Sequence, residues 1–263
     1  MPSDLVNQFK AESLSARKLF SNAKKMIPSA TDIAAAAISQ ALSDRLTDRE
    51  YLKSNFSDLV SDIQIAAYNA YLSHERKACG EVLGQLIDEQ LQAGVSASVK
   101  HAVTDRFFTL DRFFLSLTQS RRVRAGKAFE AVVTALFDAL GYPHTPQPVI
   151  GESQPDYVLP SIEHYENFST DCLIFTCKRT LRERWRQVVT EGMAGQAFFL
   201  ATIDEGLSKP ELKRMQLRNV IVVVPKAIKD RHYSNTLNVI GFEAFFEHHL
   251  DPAMARWTAN GAI

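Results

Sequence analysis

Cys177-Lys178-Arg179-Thr180-Leu181-Arg182-Glu183-Arg184-Trp185-Arg186-Gln187 is the stretch that decides how this chain folds. Directly before it, Asp171-Cys172-Leu173-Ile174-Phe175-Thr176 is apolar and β-branched with no breaker, as a short buried strand should be. After it, Thr180 can cap a helix carrying apolar residues at Leu181, Trp185, Val188 and Val189. Lys178 therefore falls where a strand ends and a helix begins. Asp156, preceded by Pro155, lies 22 residues before the lysine, and Glu191 lies 13 residues after it.

Working outward, Tyr157-Val158-Leu159, Ala197 to Thr202 and Val220 to Val224 are further short apolar runs, and Asn238 to Gly241 adds one more. Separated by helical or loop stretches, they form the pattern of an α/β sheet. Pro146, Pro148, Gly151 and Pro155 mark the loop that precedes them. Phe242 to Trp257 is expected to be a closing helix.

Upstream, the sequence from Ser3 to about Leu140 is helical in character. Ala11 to Ala23 is amphipathic and is broken at Pro28-Ser29, after which Thr31-Asp32 can cap the alanine-rich Ile33 to Ala41. Arg45 to Phe56 is more polar and reads as a connection with room for one helical turn. Leu59 to Leu72 and Ala78 to Leu91 repeat apolar residues at three- and four-residue steps. Val99 to Leu117 is dense in aromatics (Phe107, Phe108, Phe113, Phe114), which is the pattern of a core or dimer face. Arg124 to Leu140 is a further helix, stopped by Gly141-Tyr142-Pro143. The expected division is a helical region, 1–118, followed by a mixed α/β core, 119–263.

Composition limits the classes available. The 263 residues are 46% hydrophobic and 23% charged, ordinary for a globular protein with a real core. Three cysteines without metal-ligand spacing suggest a reducing compartment and exclude a zinc cluster. No apolar run reaches membrane-spanning length and no signal-peptide core follows Met1, so a cytoplasmic protein with no membrane association is expected. No glycine-rich phosphate loop is present, which argues against ATP dependence. The seven histidines are scattered, and His248-His249 has no third ligand nearby.

Net charge is zero, with 30 basic and 30 acidic residues, but the basic residues cluster. Lys178 to Arg186 holds five basic residues and one acidic, and Arg121 to Lys127 holds four and none. Such clusters suit a localised footprint on a polyanion, although exposed helices carry the same pattern.

A lysine at a strand end with two carboxylates is what metal-assisted phosphodiester hydrolysis needs. Mg²⁺ takes hard oxygen ligands, compensates charge at the scissile phosphate and activates water. Asp156 can be a first ligand, and Lys178 can stabilise the developing charge or orient the water. The simple form of the site, Pro-Asp-…-(Asp/Glu)-X-Lys, wants an acid two residues before the lysine, where this chain has Thr176. Glu191, on the helix after the lysine, is the replacement.

With that shift, Pro155-Asp156, Cys177-Lys178, Arg182-Glu183-Arg184 and Glu191 closely resemble the type II restriction endonucleases of the SsoII, PspGI and EcoRII group, in the PD-(D/E)XK nuclease superfamily. The resemblance runs from about Ser120 to Thr202 and implies a restriction-endonuclease-like core, a mixed central sheet flanked by helices. It implies Mg²⁺-dependent double-strand cleavage of DNA at a CC:GG-type site, CCNGG or CCWGG, leaving 5′ extensions with 5′-phosphate ends. Asp156 and Glu191 would hold metal, with the backbone carbonyl of Cys177 assisting.

The resemblance also assigns Arg182, Glu183 and Arg184 to base recognition. Arginine pairs with guanine O6 and N7 and glutamate accepts from cytosine N4, so the chemistry agrees. Glu130, in Gly126-Lys127-Ala128-Phe129-Glu130, matches a glutamate that related nucleases bring to the metal site. Arg121, Arg122, Arg124 and Arg186 are candidate DNA contacts that position without specifying sequence. Family members can flip central bases into aromatic or apolar pockets. Tyr51 and Phe56 are the residues this chain offers for such a pocket, with nothing further to favour either.

A symmetric target implies a homodimer, and the biology of such systems implies a companion cytosine DNA methyltransferase. Two alternatives remain open at this stage. One is a nuclease on the same scaffold serving DNA repair or a phage function; the other is a non-catalytic DNA-binding protein with a relict site.

Overall fold

Leu173–Cys177, Ala197–Ala201 and Val220–Val224 lack polar alternation because the sheet they form is covered on both faces. In the computed structural model, which describes residues 3–92, 103–104, 106–151, 153–181 and 197–263, these runs are the central strands β3, β4 and β5 of a six-stranded sheet. The strand order is β1-β2-β3-β4-β5-β6, with β1 at Thr145–Pro146, β2 at Tyr157–Leu159 and β6 at Val239–Gly241. The first two pairings are antiparallel and those from β3 to β6 are parallel. The sheet is therefore mixed, as expected, and the two-residue β1 is an addition that Thr-Pro alone does not announce.

Alternate side chains feed two cores. Val158, Ile174, Phe198, Leu200, Val220, Val222 and Val224 pack with Leu207, Leu212, Met215 and Tyr233 on one face. On the other, Phe175 lies 5.2 Å from Phe137 and 5.2 Å from Phe245, and Phe199 lies 4.8 Å from Phe245, centroid to centroid. Phe56 is fully buried at 4.9 Å from Phe242 and 4.8 Å from Phe246, so it is a core residue with no side-chain surface to offer a flipped base. Tyr51 is half-buried beneath the Arg45 guanidinium.

The first half of the described chain is helical: α1 (Ser3–Met26), α2 (Ala30–Leu42), α3 (Arg49–Ser54), α4 (Phe56–Gln92) and α5 (Phe107–Leu140). Several sequence expectations are corrected here. The α2 cap is Ser29, not Thr31-Asp32: the Asp32 N–H donates to Ser29 Oγ (3.0 Å) and Ser29 N–H returns to Asp32 Oδ2 (3.3 Å). The polar connection from Arg45 is mostly helical, a 3₁₀ turn over Ser43–Thr47 followed by α3, because Asp48 caps it by accepting from Tyr51 N. Leu59 to Leu72 and Ala78 to Leu91 are one helix, since Ser73 to Lys77 contains no breaker. The closing helix carries a π-helical segment, Phe246–Leu250, between Phe242–Phe245 and Asp251–Ala259.

By compactness the chain divides into two units, 1–33 with 66–127, and 34–65 with 128–263. The whole sheet lies in the second. Among the described residues, no helix is long and apolar enough to cross a membrane.

Gly141 ends α5 with φ +74°, donating to Asp138 O (2.9 Å) while Tyr142 N donates to Phe137 O (3.0 Å), a Schellman closure. Gly141→Ala is expected to cost about 1–2 kcal/mol, the left-handed penalty for a Cβ. Urea unfolding checks this, and Arg49, whose guanidinium tip would crowd the new methyl, can swing away.

Candidate active site

Asp156 immediately precedes β2, and the antiparallel register Tyr157↔Phe175 sets it beside the end of β3. Its carboxylate is buried at 5% exposure and satisfied from four groups. Oδ2 accepts from Thr176 Oγ1 (2.7 Å), Cys177 N (2.7 Å) and Lys178 Nζ (3.1 Å). Oδ1 accepts from Gln147 Nε2 (3.2 Å) and, at 3.4 Å, from Lys178 Nζ. A buried carboxylate needs compensation of this kind.

Lys178 is the first residue past β3, and its N–H donates to Ala201 O (2.9 Å), which fixes the strand end against β4. The structure thus brings Asp156, Lys178 and, through Gln147, Glu130 together. Gln147 Nε2 donates to Glu130 Oε1 (3.1 Å) as well as to Asp156. One turn along α5, Thr134 meets the Tyr157 hydroxyl in a close hydrogen bond. Burial first, then the neighbouring Cys177, pushes the Tyr157 hydroxyl pKa upward. Burial likewise holds the Cys177 thiol well above its ordinary pKa, with Asp156 and Glu130 adding to the effect, so the sulfur is a protonated neighbour of the site.

Asp156 and Glu130 offer hard oxygen atoms to one point, the donor set that suits Mg²⁺ or a similar divalent ion. Among the described residues no cluster of three or more His, Cys, Asp or Glu forms a metal site. Glu191 lies outside the described residues, as do Arg182, Glu183, Arg184 and Arg186.

The backbone that leads into the arginine-rich run is described and is tightly held. Leu181 N donates to Asp204 Oδ2 (2.8 Å), Thr202 Oγ1 donates to Arg179 O (3.2 Å), and Tyr233 Oη donates to Asp204 O (2.7 Å). Sequence reading did not single out Asp204 or Gln147, since neither stands in a local motif; the Asp204-Glu205 pair after a strand is the only trace of the first.

Of the upstream arginines, Arg121 pairs with buried Glu75 (Nη2 to Oε2, 2.6 Å), which also accepts from the Tyr71 hydroxyl. Arg124 donates to Pro28 O (2.6 Å) and lies over the Tyr71 ring, whereas Arg122 is exposed.

A family model described as EcoRII C terminal matches residues 84–246, more than half of the chain. The chain belongs to the EcoRII C-terminal family. Among similar proteins, the type II restriction enzyme SsoII of Shigella sonnei is 30% identical over 211 residues, covering 74% of this chain and 68% of that protein. The type II restriction enzyme EcoRII of Escherichia coli is 30% identical over 134 residues, 48% of this chain and 33% of that protein.

Solved structures agree on the fold. Metal-depleted Ecl18kI in complex with uncleaved DNA superposes with a TM-score of 0.81 at 24% identity, over 93% of this chain and 84% of that one. A PspGI–substrate DNA complex gives 0.66 at 22% identity, over 88% and 94%. This member of the EcoRII C-terminal family is accordingly a type II restriction endonuclease with the expected restriction-endonuclease-like fold.

Thr176 is fully buried, and its hydroxyl is one of the donors on Asp156. Thr176→Val keeps the shape and removes that donor, and is expected to cost about 1.5–3 kcal/mol, the scale of a hydrogen bond to a charged group, with Cys177 N and Lys178 Nζ still on the same oxygen. Thr176→Ser retains the hydroxyl and should lie nearer wild type in the same chemical denaturation.

Proposed function

We propose that this restriction endonuclease makes Mg²⁺-dependent double-strand cuts in DNA at a CC:GG-type site, CCNGG or CCWGG, leaving 5′-phosphate ends. The observation that carries the reading is the Asp156 carboxylate held at the end of β3, with Lys178 on it and Glu130 joined through Gln147. That the solved neighbours of this fold are DNA complexes supports duplex DNA as the partner.

Bound Mg²⁺ would supply charge compensation at the scissile phosphate and a polarised water. Asp156, Glu191 and the Cys177 carbonyl are the groups assigned to hold it, with Glu130 supporting a second ion. The Lys178 ammonium, anchored by Asp156, would meet charge that develops on the phosphate oxygens. Thr176 and Cys177 donate to Oδ2 alone, so Oδ1 is the Asp156 oxygen that would turn to the ion.

Arg182, Glu183 and Arg184 are the proposed base readers, and Asp204 fixes the backbone from which they depart. Arg122 and Arg186 are proposed phosphate contacts. Arg121 and Arg124 would contact DNA through the remaining N–H groups of guanidinium ions already held on one side. The chain is proposed to act as a homodimer, since one such site cuts one strand, with the helical region 1–118 carrying the interface and 119–263 the catalytic core. A companion cytosine methyltransferase would protect the host sequence.

Digestion of a defined plasmid with Mg²⁺ should give discrete fragments, and sequencing their ends should show one CC:GG-type target. Lys178→Ala should lower the cleavage rate by about 10²–10³, the scale of one lost transition-state donor. A smear or branch-selective cutting would favour a repair-type nuclease. Wild type and Lys178→Ala both leaving DNA uncut would favour a non-catalytic DNA-binding protein.

Arg182→Ala should relax discrimination at one base pair by about 1–3 kcal/mol. Competition between cognate and singly substituted duplexes measures this.

A further inference from the structure

Gln147 is an outlier twice over. Its φ is +50°, a left-handed backbone that non-glycine residues seldom adopt, and it precedes Pro148, a position that favours extended backbone. A conformation of this kind persists only where its surroundings over-determine it. Here they do: Gln147 N donates to Asp156 O (2.8 Å), Gln147 O accepts from Gln154 Nε2 (3.2 Å), and the side chain makes two further bonds. Those two bonds carry the inference. A single amide nitrogen donates to Glu130 Oε1 at 3.1 Å and to Asp156 Oδ1 at 3.2 Å.

Two carboxylates aimed at one point repel each other, and Glu130 sits on a flexible side chain only partly buried. One NH₂ group supplies two N–H donors, one for each acid, and so offsets the repulsion without adding charge. A divalent cation makes the same demand on the same two oxygens, at shorter range and with far stronger attraction.

We propose that Gln147 is a positioning residue for the metal site: its carboxamide holds the Glu130 and Asp156 carboxylates on a common point and yields that point to the divalent ion. The inference rests on the metal-dependent reading of this site given above. It follows that the side chain sets how readily the ion is taken up rather than the rate once it is bound. The strained backbone at 147 aims the amide there.

Two variants separate the amide from the backbone. Gln147→Gly removes the side chain and tolerates φ +50°, and Gln147→Asn keeps an amide and tolerates the same region but is one methylene shorter. Each full-length variant is titrated with Mn²⁺ by calorimetry, its metal-free Tm is recorded, and plasmid cleavage is followed against Mg²⁺ concentration. In both, the Mn²⁺ Kd and the half-saturating Mg²⁺ should rise about tenfold, a loss of order 1.4 kcal/mol. The rate at saturating Mg²⁺ should stay within about twofold, and the metal-free Tm should fall by a few degrees at most, the share of carboxylate repulsion that the amide offsets.

A wild-type Kd in Gln147→Gly overturns the proposal, as does a loss of rate at saturating Mg²⁺ as large as the rise in Kd. Wild-type protein that binds no Mn²⁺ and cleaves equally without divalent ions would instead overturn the metal-dependent reading itself.

Discussion

The Asp156 carboxylate joins three separate parts of the chain, and most of the site's geometry follows from satisfying it. Buried where β2 begins beside the end of β3, it has little access to water and must find its partners within the protein. The end of β3 provides three of them in consecutive residues, a hydroxyl from Thr176, an amide from Cys177 and an ammonium from Lys178. The exit of β3 is thereby bound to the start of β2, and Lys178 cannot wander without unsettling a buried charge. Positioning the lysine and stabilising the acid are one interaction.

The sheet topology explains why this happens at one end. Antiparallel β2 begins where β3 finishes, and parallel β4 finishes beside β3. Two strand exits and one strand entrance therefore meet, and ligand sites favour the carboxyl ends of parallel strands. The β4 exit adds Thr202 and Asp204, which hold the Arg179 carbonyl and the Leu181 amide. The carboxylate network and the root of the arginine-rich run are thus anchored to neighbouring strands of one rigid sheet.

How legible each part is in the sequence depends on how local its cause is. β2 to β5 announce themselves because a sheet covered on both faces leaves uninterrupted apolar runs, and Gly141 marks a helix end because only the left-handed turn needs it. Arg45 to Phe56 misleads because its helical turns are stabilised by the Asp48 cap more than by an apolar face. β1 is invisible because Thr145-Pro146 gains strand character only from pairing with β2. Asp156 and Lys178 stand out by residue type and strand context. Gln147 does not, since its role rests on a positive φ and on two acids, 17 and 9 residues away, that converge only after folding.

Thr176 also explains why the acids are distributed as they are. A carboxylate in its place would face Asp156 Oδ2 where a hydroxyl now donates at 2.7 Å, replacing attraction with repulsion between two buried charges. With threonine there, Asp156 meets only donors along the β3 end, so any further acid must approach from outside the sheet. α5 is the described element that meets this need. Phe129, Val132 and Val133 are buried, whereas Glu130 and Thr134, four residues apart, share a neighbouring face. Thr134 bonds the hydroxyl of Tyr157, the residue after Asp156, and so fixes the helix by rotation as well as by depth. With that rotation set, Glu130 reaches the Gln147 amide, and the opposing charge comes from a helix that can be positioned independently of the strands.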